Sequence, residues 1–255
     1  MRSINPQEKF EELVGFIKEV CHKEKISDVL LGVSGGVDSA TSLALSVRAL
    51  GTSHVFPVLL PYGELSDQGT KDARLLLSHL KIPESQIQII DIKLLVDALM
   101  TLDPLMDEGR KGNVMARMRM VVLFDLAKKH NYLVLGTENK TEHLLGYYTR
   151  FGDEASDLEP LSELYKFQVY ELAEYLEVPE EIITKDPTAG LWEGQTDEKE
   201  FGFSYKTADE ILYLYSEEKL SKKDIVDKGF DKEIVDRVWW WIDKGFLKDR
   251  LPYTP

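Results

Sequence analysis

The six residues Ser34-Gly35-Gly36-Val37-Asp38-Ser39 are the part of the chain best suited to chemistry. The run before them, Asp28-Val29-Leu30-Leu31-Gly32-Val33, has the length and composition of a buried parallel strand. A helix follows from about Asp38 to Leu50, stopped by Gly51. In an open parallel sheet, ligands bind at the carboxyl ends of the strands. There the two glycines allow a tight turn with amides facing outward, and the helix N-terminus adds partial positive charge. Ser34 and Ser39 supply hydroxyl donors, so the loop suits a phosphate chain. It is neither a G-x-x-x-x-G-K-[ST] loop nor a G-x-G-x-x-G loop. Asp38 would repel phosphate unless a cation bridged them, which implies magnesium. The plainer alternative is that Asp38 only caps the helix and the glycines only make a turn.

The elements that must position this loop alternate along the first half of the chain. An amphipathic opening helix has Asn5 as N-cap, Pro6 at its first position and Glu8 closing a capping box, with Phe10, Leu13, Val14, Ile17 and Val20 on one face. Cys21 falls on the same apolar face and reads as core. Strands are expected at His54 to Leu60, Ile87 to Ile90 and Leu133 to Gly136. Helices are expected at Ser66 to Leu80 and at Val114 to His130, the latter after a break at Gly109 and Gly112. The alternation implies right-handed crossovers and an α/β fold: a doubly wound, mainly parallel sheet flanked by helices. Beyond Pro160 the pattern is helical only: Tyr165 to Leu176, Ala208 to Ser216, and two short helices around Ile225 and Ile234. These read as extra C-terminal helices on a single domain spanning 1–255. The Gly-rich stretch from Lys185 to Phe203 lacks periodicity and reads as a mobile loop over the site. Trp239, Trp240 and Trp241 read as core or subunit contact.

Composition narrows the partners. The 255 residues are 43% hydrophobic and 30% charged, ordinary values for a globular chain long enough to bury a full core. No apolar run approaches the roughly 20 residues that span a bilayer, and no export segment opens the chain. The single cysteine excludes an internal disulfide and Cys-rich metal sites, and fits a cytoplasmic protein. A net charge of −14 argues against nucleic acid as a large partner.

The loop SGGVDS after a first apolar strand resembles the signature of the ATP pyrophosphatase superfamily, which adenylates substrates with ATP. Later segments resemble those of NAD synthetases in order and spacing: Gly112-Asn113-Val114-Met115-Ala116-Arg117-Met118-Arg119-Met120, Leu135-Gly136-Thr137-Glu138-Asn139-Lys140-Thr141-Glu142, Gly146 to Asp153, Asp157 to Leu161, and Pro187 to Trp192 followed by Gln195 to Glu198, Gly202 and Tyr205. The resemblance covers nearly the whole chain. It implies an adenine nucleotide alpha hydrolase-like fold and a ligase that forms NAD+ from deamido-NAD+, ATP and ammonia through an adenylated carboxylate.

By the resemblance, Gly32, Val33, Ser34, Gly35, Gly36, Val37, Asp38 and Ser39 hold the ATP phosphates. Asp38 and Glu142 hold magnesium, Thr137 and Thr188 contact ATP, and Lys166 neutralises its phosphates. Arg117, Arg150, Asp157 and Lys248 contact deamido-NAD+. One of Arg117 and Arg119 could instead only cover core surface with its stem. Arg150 stands where many members carry Lys, and Gly190 where one branch carries Asp. Leu247 stands in place of a His in the family's tail, leaving Lys248 as its match. Only about 27 residues precede the first strand, too few for an amidase domain, so ammonia is the expected nitrogen donor. The family also implies a homodimer. A tRNA thiolase would need reactive cysteines and a basic surface, and a GMP synthetase would need other downstream segments.

Overall fold

The computed structural model describes residues 3–245 and 248. Four parallel strands, β1 (Val29–Gly32), β2 (Val55–Leu59), β3 (Gln88–Ile89) and β4 (Leu133–Val134), form one sheet in the order β3-β2-β1-β4. β1 therefore lies inside, which explains its unbroken apolar run. Its side chains alternate: Val29 and Leu31 enter one apolar cluster and Leu30 the other. The expected strands are all present but shorter. Beyond β4, Leu135 makes a parallel bridge to Leu158.

Helices cover both faces, as the doubly wound reading requires. On one face α1 (Pro6–Glu24), α2 (Val37–Leu50), α3 (Asp67–His79) and α7 (Lys166–Tyr175) join the cluster of Val29 and Leu31. The Asn5 side chain caps α1 by accepting from the Glu8 amide at 3.4 Å, and Cys21 is buried against the same core. α2 is buried along most of its length, and two of its hydroxyls turn onto its own backbone: Thr41 donates to the Val37 carbonyl at 2.7 Å and Ser46 to the Leu43 carbonyl at 2.8 Å. On the other face α4 (Lys93–Met100) and α5 (Glu108–His130) pack with Leu30, Val58 and Val134.

α5 corrects one expectation. Gly109 and Gly112 lie inside the helix, which starts at Glu108 because Asp107 caps it, accepting from the Arg110 amide at 2.8 Å. Gly112 is small for packing: a Cβ there would lie 2.8 Å from Leu191 Cδ1. α4 had no counterpart among the expected elements.

The chain after α7 is helical, as expected, with α8 (Glu180–Ile183), α9 (Asp197–Phe201), α10 (Tyr205–Ser216), α11 (Lys222–Asp227) and α12 (Lys232–Gly245). Of the two helices expected to be short, the one around Ile234 is long, and α8 and α9 were not expected. Together with α6 (Lys140–Leu145), α9 to α12 bury a separate aromatic-rich cluster around Phe201, Ile211, Val238 and Trp241, whereas Ile182 of α8 joins the first cluster. The tryptophan triplet divides: Trp241 is buried, Trp239 half-buried and Trp240 exposed.

Candidate functional site

The carboxyl end of β1 leads into the SGGVDS loop, which is braced by its own hydroxyls. Ser34 and Ser39 Oγ atoms are 3.1 Å apart, and the Ser39 hydroxyl lies 3.0 Å from the Gly36 carbonyl oxygen. Gly35 has φ +80°, a conformation that side-chain-bearing residues rarely adopt. The loop also needs a close neighbour: a Cβ on Gly69 of α3 would lie 2.6 Å from the Ser34 carbonyl oxygen.

Gly36 is the N-cap of α2, and no side chain caps that helix. The first-turn amides of α2 are thus left to a ligand, as a phosphate site at a helix N-terminus requires. The plainer reading of Asp38 as a helix cap does not hold. Its carboxylate accepts instead from Asn139 Nδ2 at 2.8 Å and from Lys166 Nζ at 2.5 Å.

Lys166 also donates to Glu142 Oε1 at 3.0 Å, so the two candidate metal-ligating carboxylates face one ammonium. Lys166 is 2% exposed. Burial opposes its charge, but Asp38 and Glu142 hold its pKa above the ordinary lysine value. Burial pushes the Glu142 carboxyl up to about 8, against the pull of Lys166. Local structure sets these positions. Asn139 caps α6 by accepting from the Glu142 amide at 3.1 Å, while its side-chain nitrogen reaches Asp38. The Thr141 hydroxyl accepts from the Lys166 amide at 2.9 Å and donates to Asp209, fixing the start of α7 against α6. Two hard carboxylate oxygens within reach of one cation match the donors that magnesium takes when substrate phosphates supply the rest. Among the described residues no cluster of three or more metal-ligating side chains occurs.

A second layer closes over this cluster. The Tyr205 hydroxyl lies 3.0 Å from Asp197 Oδ2 and 3.3 Å from Glu142 Oε1. The Tyr147 hydroxyl donates to Asp197 Oδ1 at 3.1 Å, and burial raises the Asp197 pKa. Asn139, Tyr205 and Asp197 were not assigned roles from sequence, although all three lie in the segments that carry the resemblance.

The remaining candidates separate from the loop. Thr137 follows the end of β4, on the side of the sheet where the SGGVDS loop begins. Arg117 and Arg150 come together: Arg117 Nε donates to the Arg150 carbonyl at 3.2 Å. Asp157 binds the edge of β4, accepting from the Val134 amide at 2.7 Å. Thr188 turns back on its own loop, donating to the Gln195 carbonyl at 2.8 Å. Lys248 donates to the Gly146 and Tyr148 carbonyls at 2.6 and 2.5 Å. The rest of the tail, Leu247 and Asp249 to Pro252, lies outside the described residues.

Comparison with known proteins fits this geometry. The sequence profile of the family described as NAD synthase matches residues 9–252. An NH(3)-dependent NAD(+) synthetase of Fusobacterium nucleatum is 41% identical over 249 residues, covering 98% of this chain and 95% of its own. The structure of an NMN synthetase from Francisella tularensis superposes with a TM-score of 0.87 at 33% identity, covering 99% of both chains. An NH3-dependent NAD synthetase of Campylobacter jejuni superposes at 0.83 and 30%, covering 99% of this chain and 100% of the other. The fold is the adenine nucleotide alpha hydrolase-like one, and the chain belongs to the NAD synthase family.

Proposed function

We propose that this chain is a carbon–nitrogen ligase that forms NAD+ from deamido-NAD+, ATP and ammonia, releasing AMP and pyrophosphate. The observation that carries the reading is the convergence of Asp38, Glu142 and Lys166 beside an uncapped helix N-terminus, in a chain of this family.

A carboxylate resists attack by ammonia, so it must first be activated. An oxygen of the nicotinate carboxylate attacks the α-phosphorus of ATP, and the bond to pyrophosphate breaks. Ammonia then attacks the acyl carbon, the bond to AMP breaks, and the nitrogen sheds a proton. Both displacements develop charge on phosphate oxygens, so fixed donors carry much of the rate. The loop from Gly32 to Ser39, with the free first-turn amides of α2 and the Ser34 and Ser39 hydroxyls, holds the phosphates. Asp38 and Glu142 would hold magnesium, which offsets phosphate charge when bound. Lys166 neutralises phosphate charge, and against the cost of its burial the two carboxylates beside it keep it protonated for that task. Thr137 and Thr188 contact ATP. Arg117, Arg150, Asp157 and Lys248 bind the second nucleotide. Pyrophosphate release by the purified chain tests this: it should require both ATP and deamido-NAD+, and release independent of the second nucleotide would contradict the reading.

A second reading differs only in the acceptor: the chain is also similar to an NMN synthetase, at 33% identity over 99% of both chains, which supports a mononucleotide as an alternative carboxylate substrate. The reaction at the carboxylate is unchanged.

The assembly we propose is a homodimer. Its support is an exposed apolar face on and after α4, where Leu94, Leu102 and Leu105 are 80%, 79% and 92% exposed. The location we propose is the cytoplasm, supported by the single, buried, unpaired Cys21. Among the described residues no helix is long and apolar enough to cross a membrane.

A further inference from the structure

The face of α5 that looks onto the strand ends carries Gly112, Ala116, Arg119 and Leu123, spaced as one helical stripe. Its two ends touch both walls of the proposed nucleotide seat. Gly112 packs on Leu191 of the loop from 185 to 203, and Leu123 Cδ1 would lie 3.5 Å from a Cβ on Gly32, where the SGGVDS loop begins. Arg119 sits between those contacts. Its Nε donates to the Leu60 carbonyl at 3.1 Å, just past the carboxyl end of β2.

Three lysines of the region are occupied. Lys166 is paired with Asp38 and Glu142, Lys185 with Asp72, and Lys248 with two carbonyls. Arg119, like Arg117, has among the described residues a backbone carbonyl but no carboxylate within ion-pair distance, and it is Arg119 whose carbonyl partner, Leu60, lies at the carboxyl end of a sheet strand. Asp153 acts on Arg119 only through space, and burial lowers its pKa. A largely buried guanidinium with four donors beyond its Nε is costly to hold without an anion, and its planar fork suits phosphate or carboxylate oxygens.

We propose that Arg119 is an anion-binding residue of the active site, engaging the phosphate or carboxylate oxygens at the junction where the acyl-adenylate forms. The proposal rests on the reading of this site as an adenylating one. It gives Arg119 a contact with substrate, where the sequence left it as a possible cover for core surface.

The test compares ligands that differ only in the anion, measured by calorimetry on the purified chain without turnover. AMP and adenosine differ by the phosphate, and deamido-NAD+ and NAD+ by the carboxylate. In the wild type, at least one anionic member should bind more tightly than its neutral counterpart. Arg119→Gln should cut that preference by about tenfold or more while leaving the neutral ligand's affinity close to wild type. The pair that loses its preference identifies which anion Arg119 binds. Arg119→Lys, which keeps the charge but not the fork, should retain part of the preference and decides the matter if Arg119→Gln does not fold. Equal weakening of both members of each pair would make Arg119 structural and overturn the proposal. An unchanged preference, or none in the wild type, would overturn it too. Because no step needs ammonia or turnover, failure here is distinguishable from failure to make NAD+.

Discussion

Gly35 and Gly69 meet so closely that a Cβ on Gly35 would lie 2.4 Å from the Gly69 carbonyl oxygen. The phosphate loop is thus seated on the first turns of α3. Gly69→Ala should displace the loop, because its methyl group would press on the Ser34 carbonyl, which is backbone and cannot swing aside. The cost should be about 1–3 kcal/mol of stability, with a rise in the KM for ATP of about tenfold. Denaturant unfolding and ATP titrations check this, and wild-type values for both would contradict the packing.

Asp38→Asn should abolish amide formation and leave the fold in place. The variant removes the charge that faces Lys166 and would hold the cation, while keeping the shape that accepts from Asn139. Glu142→Gln should behave similarly. Turnover within about tenfold of the parent, in a variant with an unchanged circular dichroism spectrum, would refute the assigned role.

How far these relationships could be read in advance depends on the range of the contact. The SGGVDS loop, β1 and α2 were legible because a buried strand, a tight turn and a helix start are all written in adjacent residues. The pairing of Asp38 with Asn139 joins residues far apart in the chain, and only the fold brings them together. The seat under the loop was hidden for the same reason, since Gly69 lies in what reads as an ordinary helix. Gly109 and Gly112 misled because glycine disfavours a helix locally, whereas packing against Leu191 rewards it. α12 was read as short although its apolar face runs to Trp241 and Gly245, because its exposed residues and the aromatic triplet blur the helical period.

The stretch from 185 to 203 is tied at three points. Lys185 pairs with Asp72 at 2.6 Å, Leu191 packs on Gly112, and Asp197 meets Tyr147 and Tyr205. The last two ties lie beside the proposed substrates, so this segment should open without ligand and close over bound nucleotides to exclude water. Limited proteolysis between Lys185 and Lys199 should slow markedly when ATP, magnesium and deamido-NAD+ are added. Equal rates would leave a static surface loop.

Glu159 lies against Gly136, its carboxyl accepting from the Ser156 hydroxyl at 2.8 Å and from the Glu138 amide at 3.1 Å. Burial pushes its pKa from 4.5 up to about 8, with the Ser156 bond opposing and the Glu138 charge adding to the rise. The folded state therefore binds this proton more tightly than the unfolded chain. That contribution to stability is full below the unfolded pKa and is lost as pH rises through about 8. Relative to Glu159→Gln, the wild type should lose stability across that window by at most about 1.4 kcal/mol per pH unit. Urea unfolding of both proteins across the same range measures it, and a constant difference would mean that Glu159 is already ionised.

The most direct measurement is product formation by the purified chain supplied with ATP, magnesium, ammonium and deamido-NAD+, with NAD+ followed by coupled hydride transfer. The account predicts turnover that needs every component, that exceeds amidation of nicotinate mononucleotide, and that fails when glutamine replaces ammonium. No NAD+ under these conditions, or equally fast synthesis driven by glutamine, would contradict it.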